Sequence, residues 1–333
     1  MVRILSDSQV ADCLDLADLL PVVREAFVKQ GRGEVERPDR PHFPVGAGLD
    51  GPDPAGTGLV MPAYLHGAAF YATKLVGVHE GNAERGLPTV NAQIALTEAG
   101  TGLPAAYLAG TRITNARTGC IGGLAAAELA VTPAAPDSGL TLALLGAGTQ
   151  ARWQARAIAD ATDLESVRIY SPSDSKDDCV ADLREELDLP PDAIVTADSP
   201  EDAVRGANVV VTATTATDPV FPGAALDPGA LVVAVGAYTA EMRELDAETF
   251  ERASRVFADV PEEVAEIGDA LEADLAADDL VPFSAVLEGR AGRDSGDDIL
   301  VVESVGTAVL DAAAAEHVFG VAEEKGVGIE VSL

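Results

Sequence analysis

Gly146, Gly148 and Ala151 stand where an apolar run, Leu140 to Leu145, meets a segment of helical character that continues to Ala161. A dinucleotide's pyrophosphate needs this order of strand, glycine turn and helix: the first glycine tightens the turn, the second lets the backbone approach the phosphates, and the small third residue lets helix and strand pack. The helix N-terminus, opening with Thr149 and Gln150, offers unpaired N–H groups and a positive dipole end, so no basic side chain is required. A GxGxxA turn alone is a weak signal, and its context carries the weight. A second residue with chemical potential is Lys74, inside the strand-like segment AAFYATKLVGVH of a chain whose other lysines are Lys29, Lys176 and Lys325. Burial would cost a lysine dearly unless it were paired or deprotonated, and would bring its pKa toward neutrality, where it can move protons. Alternation could equally turn Lys74 to solvent.

The elements around the glycine turn repeat in a regular order. Strands are expected at Val167 to Tyr170, Ile194 to Ala197, Val209 to Ala213, Leu231 to Val235 and Arg255 to Asp259, with a helical stretch around Val180 to Leu187. Strands alternating with helices predict an α/β fold with a doubly wound parallel sheet of Rossmann type. Cofactor-facing residues then belong at the carboxyl ends of strands, at Thr214 and Thr215 and from Gly236 to Tyr238.

With 333 residues, 47% of them hydrophobic, the chain can bury a large core and by length should form two domains. No apolar run is long enough to cross a bilayer and no basic, apolar leader opens the sequence, so a soluble, cytoplasmic protein with no membrane partner is expected. Cys13, Cys120 and Cys179 are scattered and odd in number, which points to reduced thiols. The formal net charge of −33 is spread along the chain and argues against nucleic acid and anionic membranes. Acid-rich and lysine-poor, the composition leads to the expectation of a protein adapted to high salt, where a Debye length of about 3 Å mutes self-repulsion, over the alternative of a merely acidic mesophilic protein. His42, His66, His79 and His317 have no metal-ligand spacing, and no metal site is expected.

From Met61 onward the motifs become specific: MPA at Met61 to Ala63, KLVGVHEGN from Lys74, GLPT at Gly86 to Thr89, EAGTGLPAAYLAG, ARTG at Ala116 to Gly119, the GAGTQA turn, and SVGTAVLD at Ser304 to Asp311. In this order they resemble the ornithine cyclodeaminase and mu-crystallin family over nearly the whole chain. The resemblance implies a homodimer whose subunit has a discontinuous α+β domain for substrate binding and dimerisation, residues 1–128 and 304–333, around a Rossmann domain, residues 129–303. It implies a nicotinamide nucleotide and a small 2-amino, 2-oxo or cyclic imino acid as substrate.

Carried over residue by residue, the resemblance makes Lys74 the catalytic lysine and Arg117 a substrate-carboxylate ligand, for which the forked guanidinium is suited. Arg40 resembles a second carboxylate-binding arginine, with Arg37 competing for the role, and His79 with Glu80 matches the substrate-side loop. Arg112, five residues before Arg117, is over a quarter-turn away and should bind something else. Cyclodeaminases of the family carry an acid just before the MP motif and an aspartate two residues after the glycine of the later VG strand end. This chain has Leu59 and Tyr238 there. A leucine can neither hold the distal amine of ornithine nor move its proton, so the expectation is an alanine dehydrogenase-like enzyme or a ketimine reductase such as a pyrroline-2-carboxylate reductase. An ornithine cyclodeaminase is the alternative, and a non-catalytic mu-crystallin-like protein is a further one, disfavoured because Lys74 and Arg117 are kept. Tyr238 could line the nicotinamide pocket or simply pack at a strand end. After the second Rossmann strand come Ser171 and Ser173 where NAD enzymes usually place an acid. NAD or NADP both fit, with a lean to NADP because two serines can donate to a 2′-phosphate.

Overall fold

The computed structural model describes residues 1–49, 51–132 and 138–332, which form two compact units, one of Met1–Arg117 with Ala308–Leu333 and one of Thr118–Thr307. The first unit is built on a mixed sheet of β1 (Val2–Leu5), β2 (Val35–Glu36), β3 (His42–Val45), β4 (Gly56–Leu65), β5 (Phe70–Val78), β6 (Val90–Glu98), β7 (Pro104–Ala109) and β16 (Ile329–Val331). The order is β16-β1-β7-β6-β5-β4-β2, with β3 also on β4. Successive side chains of a strand point to opposite faces, and the register makes this alternation a property of the whole sheet. Leu5, Leu108, Ile94, Lys74 and Met61 are paired in one continuous row across β1, β7, β6, β5 and β4. All five are buried. The unit also holds the helices Asp7–Cys13, Leu16–Gly31 and Ala308–Lys325, the last packed on β4, β5 and β6. Eleven of its residues are buried, from Ala308 to Ala322. An alanine-rich helix lets backbone approach backbone closely, which is what sets an aspartate on this helix within reach of the strands.

The second unit is the expected parallel α/β layer. Its strands are β8 (Leu140–Leu145), β9 (Leu164–Tyr170), β10 (Ile194–Thr196), β11 (Val209–Thr212), β12 (Leu231–Ala234), β13 (Ala253–Ala258), β14 (Val281–Pro282) and β15 (Ile299–Glu303). They run in the order β10-β9-β8-β11-β12-β15-β13-β14, and every pairing is parallel. The chain leaves β8 toward β9 and β10, then returns to the other side of β8 as β11. The strand order therefore reverses between β8 and β11, the position at which open α/β sheets bind ligands. β15 is the addition to the sequence reading: it is wholly buried and lies between β12 and β13. Its apolar run, ILVV, is short and ends on a glutamate, so it reads weakly as a core strand. The helix Thr149–Ala161 packs on the residues that follow Arg117 at glycine. A Cβ on Gly119 would lie 2.6 Å from the Trp153 carbonyl oxygen, and Gln154 donates to the Thr118 carbonyl at 2.9 Å.

Because the obstacle at Gly119 is backbone and not a mobile side-chain end, the substitution Gly119→Ala should act as overpacking. We expect a loss of about 1–3 kcal/mol, read as a lower urea midpoint for the unit formed by Thr118–Thr307.

Candidate functional site

In the first unit, Lys74 lies on β5 between Met61 of β4 and Ile94 of β6, so its ammonium faces an apolar layer with 2% of the residue exposed. This resolves the choice left open by alternation in favour of burial. Its counter-charge comes from far along the chain. Lys74 Nζ donates to Asp311 Oδ2 at 2.5 Å, and Asp311 sits in the first turn of the helix Ala308–Lys325. Arg117, on the helix Gly110–Leu129, donates to the same carboxylate through Nε at 3.1 Å and Nη2 at 3.4 Å, and Thr114 Oγ1 lies 3.3 Å from Asp311 Oδ1. Asp311 is 1% exposed and Arg117 4%.

Two cations therefore share one buried anion. Burial lowers the Lys74 pKa and the charges of Arg117 and Arg40 lower it further, while Asp311 opposes them through its charge and hydrogen bond; the balance is a value of about 8. Burial alone would raise Asp311, but Arg117 and Lys74 beside it hold it below its ordinary value, so it stays ionised. The cluster presents an amine poised close to neutrality next to a guanidinium that one aspartate orients. Asp311 is a site residue that sequence reasoning misses, although it closes the SVGTAVLD motif. An aspartate in an alanine-rich helix reads as a solvated position until the helix is known to be buried on nearly every side.

The other sequence candidates of this unit fall around the cluster to different degrees. Arg37 and Arg40 are both half-buried, and the charge of Arg40 bears on Lys74. Arg112 is engaged elsewhere, donating to Asp7 through Nε at 3.3 Å and Nη2 at 2.8 Å. His79 lies outside the cluster: its ring packs on the backbone of Gly56 and Gly77, and its backbone N–H donates to the Thr89 carbonyl at 2.8 Å. The Glu80 side chain lies outside the described residues.

In the second unit, Gly146 has a φ of +110°, and a Cβ there would lie 2.6 Å from the Ala213 carbonyl oxygen, so the tight turn requires glycine. Gly148 is the N-cap of the helix Thr149–Ala161; it offers no side-chain acceptor, the first turn holds no acid, and a Cβ at Gly148 would meet nothing. Thr149 is exposed, Gln150 half-buried, and Ala151 fully buried. These features fit an anionic pyrophosphate at the positive end of the helix dipole. Arg152 steadies the turn by donating to the Ala147 carbonyl at 2.6 Å and to Asp182 at 2.7 Å. At the end of β9 the hydroxyls of Ser171 and Ser173 are 3.1 Å apart, and Ser173 reaches Ser175 at 2.6 Å. Thr214 and Gly236 meet on one buried carboxylate, Glu244, another residue that no sequence signal marks; Thr215 is exposed, as is Tyr238. Among the described residues no group of three or more His, Cys, Asp or Glu side chains is placed to hold a metal, and no helix is long and apolar enough to cross a membrane.

The chain is similar to known proteins over nearly its whole length. A model of the ornithine cyclodeaminase/mu-crystallin family matches residues 2–326. A Delta(1)-pyrroline-2-carboxylate reductase of Bacillus cereus is 32% identical over 298 residues, which span 87% of this chain and 89% of that one. The Thermococcus litoralis Delta(1)-pyrroline-2-carboxylate reductase, solved with NADH and L-proline, is 28% identical with a TM-score of 0.91, covering 99% of this chain and 100% of the other. An archaeal alanine dehydrogenase dimer with bound NAD is 26% identical with a TM-score of 0.88, covering 100% and 99%.

Removing the shared anion should leave two buried cations facing each other. For Asp311→Ala we expect a loss of about 3–5 kcal/mol in stability, read by urea denaturation. Asp311→Asn should move the Lys74 pKa below its present value of about 8, which 15N-lysine NMR can follow because the chain has only four lysine signals to assign.

Proposed function

The chain belongs to the ornithine cyclodeaminase/mu-crystallin family, and from that premise we propose that it is a nicotinamide-nucleotide-dependent oxidoreductase of small 2-imino and 2-amino acids. The activities that fit are those of a pyrroline-2-carboxylate reductase or an alanine dehydrogenase. The observation that carries this reading is the buried set of Lys74, Asp311 and Arg117. A nicotinamide nucleotide would be held by Gly146, Gly148, Thr149, Gln150 and Ala151 together with Thr214, Thr215, Gly236 and Tyr238, and would supply or accept the hydride.

The chain's own residues do the rest. Arg117 turns its Nε edge to Asp311; the end-on edge of its guanidinium has the spacing that grips a carboxylate bidentately. Arg40 adds a second positive charge for that carboxylate. Lys74 donates its proton on the nitrogen side of an imine in the reductive direction, and as the neutral amine it takes the proton back in the oxidative one. A pKa of about 8 suits both roles near neutrality. Asp311 keeps its charge throughout and holds the two cations in place. At the end of β9, Ser171 and Ser173 can donate to ribose hydroxyls or to a 2′-phosphate, and no carboxylate stands between them and Tyr170. NAD(H), which the neighbours carry, and NADP(H) both fit, and the serine pair favours NADP(H).

A homodimer is supported by the outer face of the first sheet. Ile329, Ile4, Tyr107, Ala95, Thr73 and Pro62 are paired in one row on that face. With Tyr71 and Leu75 nearby it leaves large apolar side chains in water, Ile329 at 63% and Leu75 at 44% exposure, as an interaction surface does. The lyase reading is weaker, since Leu59 and Tyr238 stand where a cyclodeaminase needs carboxylates. The setting we propose is a cytoplasm of high ionic strength.

The test is NADH and NADPH oxidation in molar potassium chloride with pyrroline-2-carboxylate, and separately with pyruvate and ammonia. Turnover is expected with at least one substrate, falling about 10²–10⁴-fold in Lys74→Ala; ammonia release from ornithine without reductase activity would overturn the reading. Reduction should decline as pH rises through about 8 and oxidation should rise over the same interval, because Lys74 loses its proton there. With a net charge of −33, the melting temperature should climb between 0.1 and 1 M salt, where the Debye length falls from about 10 Å to about 3 Å; a flat response in a thermal scan would refute adaptation to salt.

A further inference from the structure

Glu244 follows β12 in a segment of irregular structure and is fully buried. One carboxylate oxygen, Oε1, accepts from the Thr214 backbone N–H at 2.7 Å and the Thr214 hydroxyl at 2.8 Å; the other, Oε2, accepts from the Gly236 N–H at 2.8 Å and the Thr212 hydroxyl at 2.9 Å. Four donors thus converge on one side chain from the ends of two adjacent strands, β11 and β12. The same two loop ends are pressed together by glycine, since a Cβ on Gly236 would lie 2.2 Å from the Thr214 carbonyl oxygen. The pyrophosphate turn leans on them as well: a Cβ on Gly146 would come within 2.6 Å of the Ala213 oxygen and 3.0 Å of Thr214 Cγ2. Glu244 is itself anchored, for its N–H and that of Leu245 both donate to Asp269 Oδ1 at 2.8 Å.

We infer that Glu244 is the positioning residue of the nucleotide cleft: a buried, acceptor-only side chain that sets the β11 and β12 loop ends, and through them the glycine turn after β8, in the conformation that binds a nicotinamide nucleotide. This rests on the reading of those loops as the nucleotide site. The physical content lies in acceptance. Ionised, as it is above its raised pKa of about 7, the carboxylate offers lone pairs to all four donors at once. A glutamine of the same shape turns an N–H₂ group toward one of the two backbone N–H groups, whichever way its amide is flipped. Thr212 can rotate its hydroxyl to accommodate an amide, but the backbone N–H groups of Thr214 and Gly236 cannot change sign. An aspartate is a methylene short, yet keeps the acceptor-only character.

A role in filling space and a role in accepting hydrogen bonds therefore rank the variants in opposite orders. We expect the Kd for NADH, measured by fluorescence titration, to rise at least tenfold in Glu244→Gln and less in Glu244→Asp. The KM for the imino acid at saturating nucleotide should stay within twofold of the wild type. Amide exchange by mass spectrometry should quicken at peptides spanning Thr214 and Gly236 and not at Leu140–Leu145. A folded Glu244→Gln protein, with native circular dichroism and melting temperature, that binds NADH as the wild type does overturns the inference. So does a reversed order of the two variants. If Glu244→Gln fails to fold, Glu244→Asp alone decides, since unchanged exchange at Thr214 and Gly236 with unchanged Kd also overturns it. A wild-type protein that binds neither NADH nor NADPH would instead remove the nucleotide-site reading on which the inference stands, and that outcome is distinct from the others.

Discussion

One buried carboxylate governs the chemistry of the first unit. Lys74 and Arg117 cannot both be charged in an apolar layer without a counter-ion, because an unpaired buried charge costs an amount comparable to a domain's whole stability. Asp311 is that counter-ion, bonded to both and 1% exposed. Three elements must therefore meet at one point: β5, the helix Gly110–Leu129 and the helix Ala308–Lys325. The last of these comes from the other end of the chain, and its run of alanines is what lets it approach the sheet closely enough for a short aspartate side chain to reach. With two cations and one anion the cluster keeps a net positive charge, the sign that suits a carboxylate substrate, and the lysine is left titrating close to neutrality instead of far above it.

The second unit meets a related constraint with the opposite sign. Glu244 is a buried acid whose hydrogen bonds come from two backbone N–H groups and two hydroxyls instead of from a cation. Burial pushes its pKa up to about 7, with the hydrogen bonds from Thr214, Gly236 and Thr212 acting against that rise. Burial, with the neighbouring charges of Asp269, Glu244 and Asp259, holds the pKa of Glu303 on β15 well above its ordinary value, so the strand that reads weakly in the sequence brings another buried acid into the same neighbourhood. The parallel sheet supplies the scaffold for all of this. Its strand order reverses between β8 and β11, which is why the glycine turn after β8 and the loop after β11 lie side by side.

Much of this was legible in the residues. The LTLALLGAGTQA stretch specifies a strand, a left-handed glycine turn and a helix N-terminus within a dozen residues, because strand propensity, glycine's backbone freedom and helix-end geometry are local, even though the close approach of Ala213 to Gly146 is not. The succession of short apolar runs and helical segments likewise leads to a parallel α/β layer, and the strands at Val209, Leu231 and Ile194 begin where their apolar runs begin. Lys74, Arg117 and the serines after β9 are visible as residue types in motif positions.

Whether Lys74 faces water or the core, by contrast, could not be decided locally: alternation along β5 allows both, and only the pairing of Lys74 with Met61 and Ile94 under the helix Ala308–Lys325 settles it. Asp311, 237 positions from Lys74, and Glu244, 30 from Thr214, were hidden for the same reason. In a chain with 55 acidic residues, no spacing marks the few that are buried. Sequence by itself determined the elements and the chemistry on offer, since propensity, turn geometry and motif spacing act over a few residues. Tertiary structure decided which charges share a dry site, since burial and counter-charge depend on what packs from elsewhere in the chain.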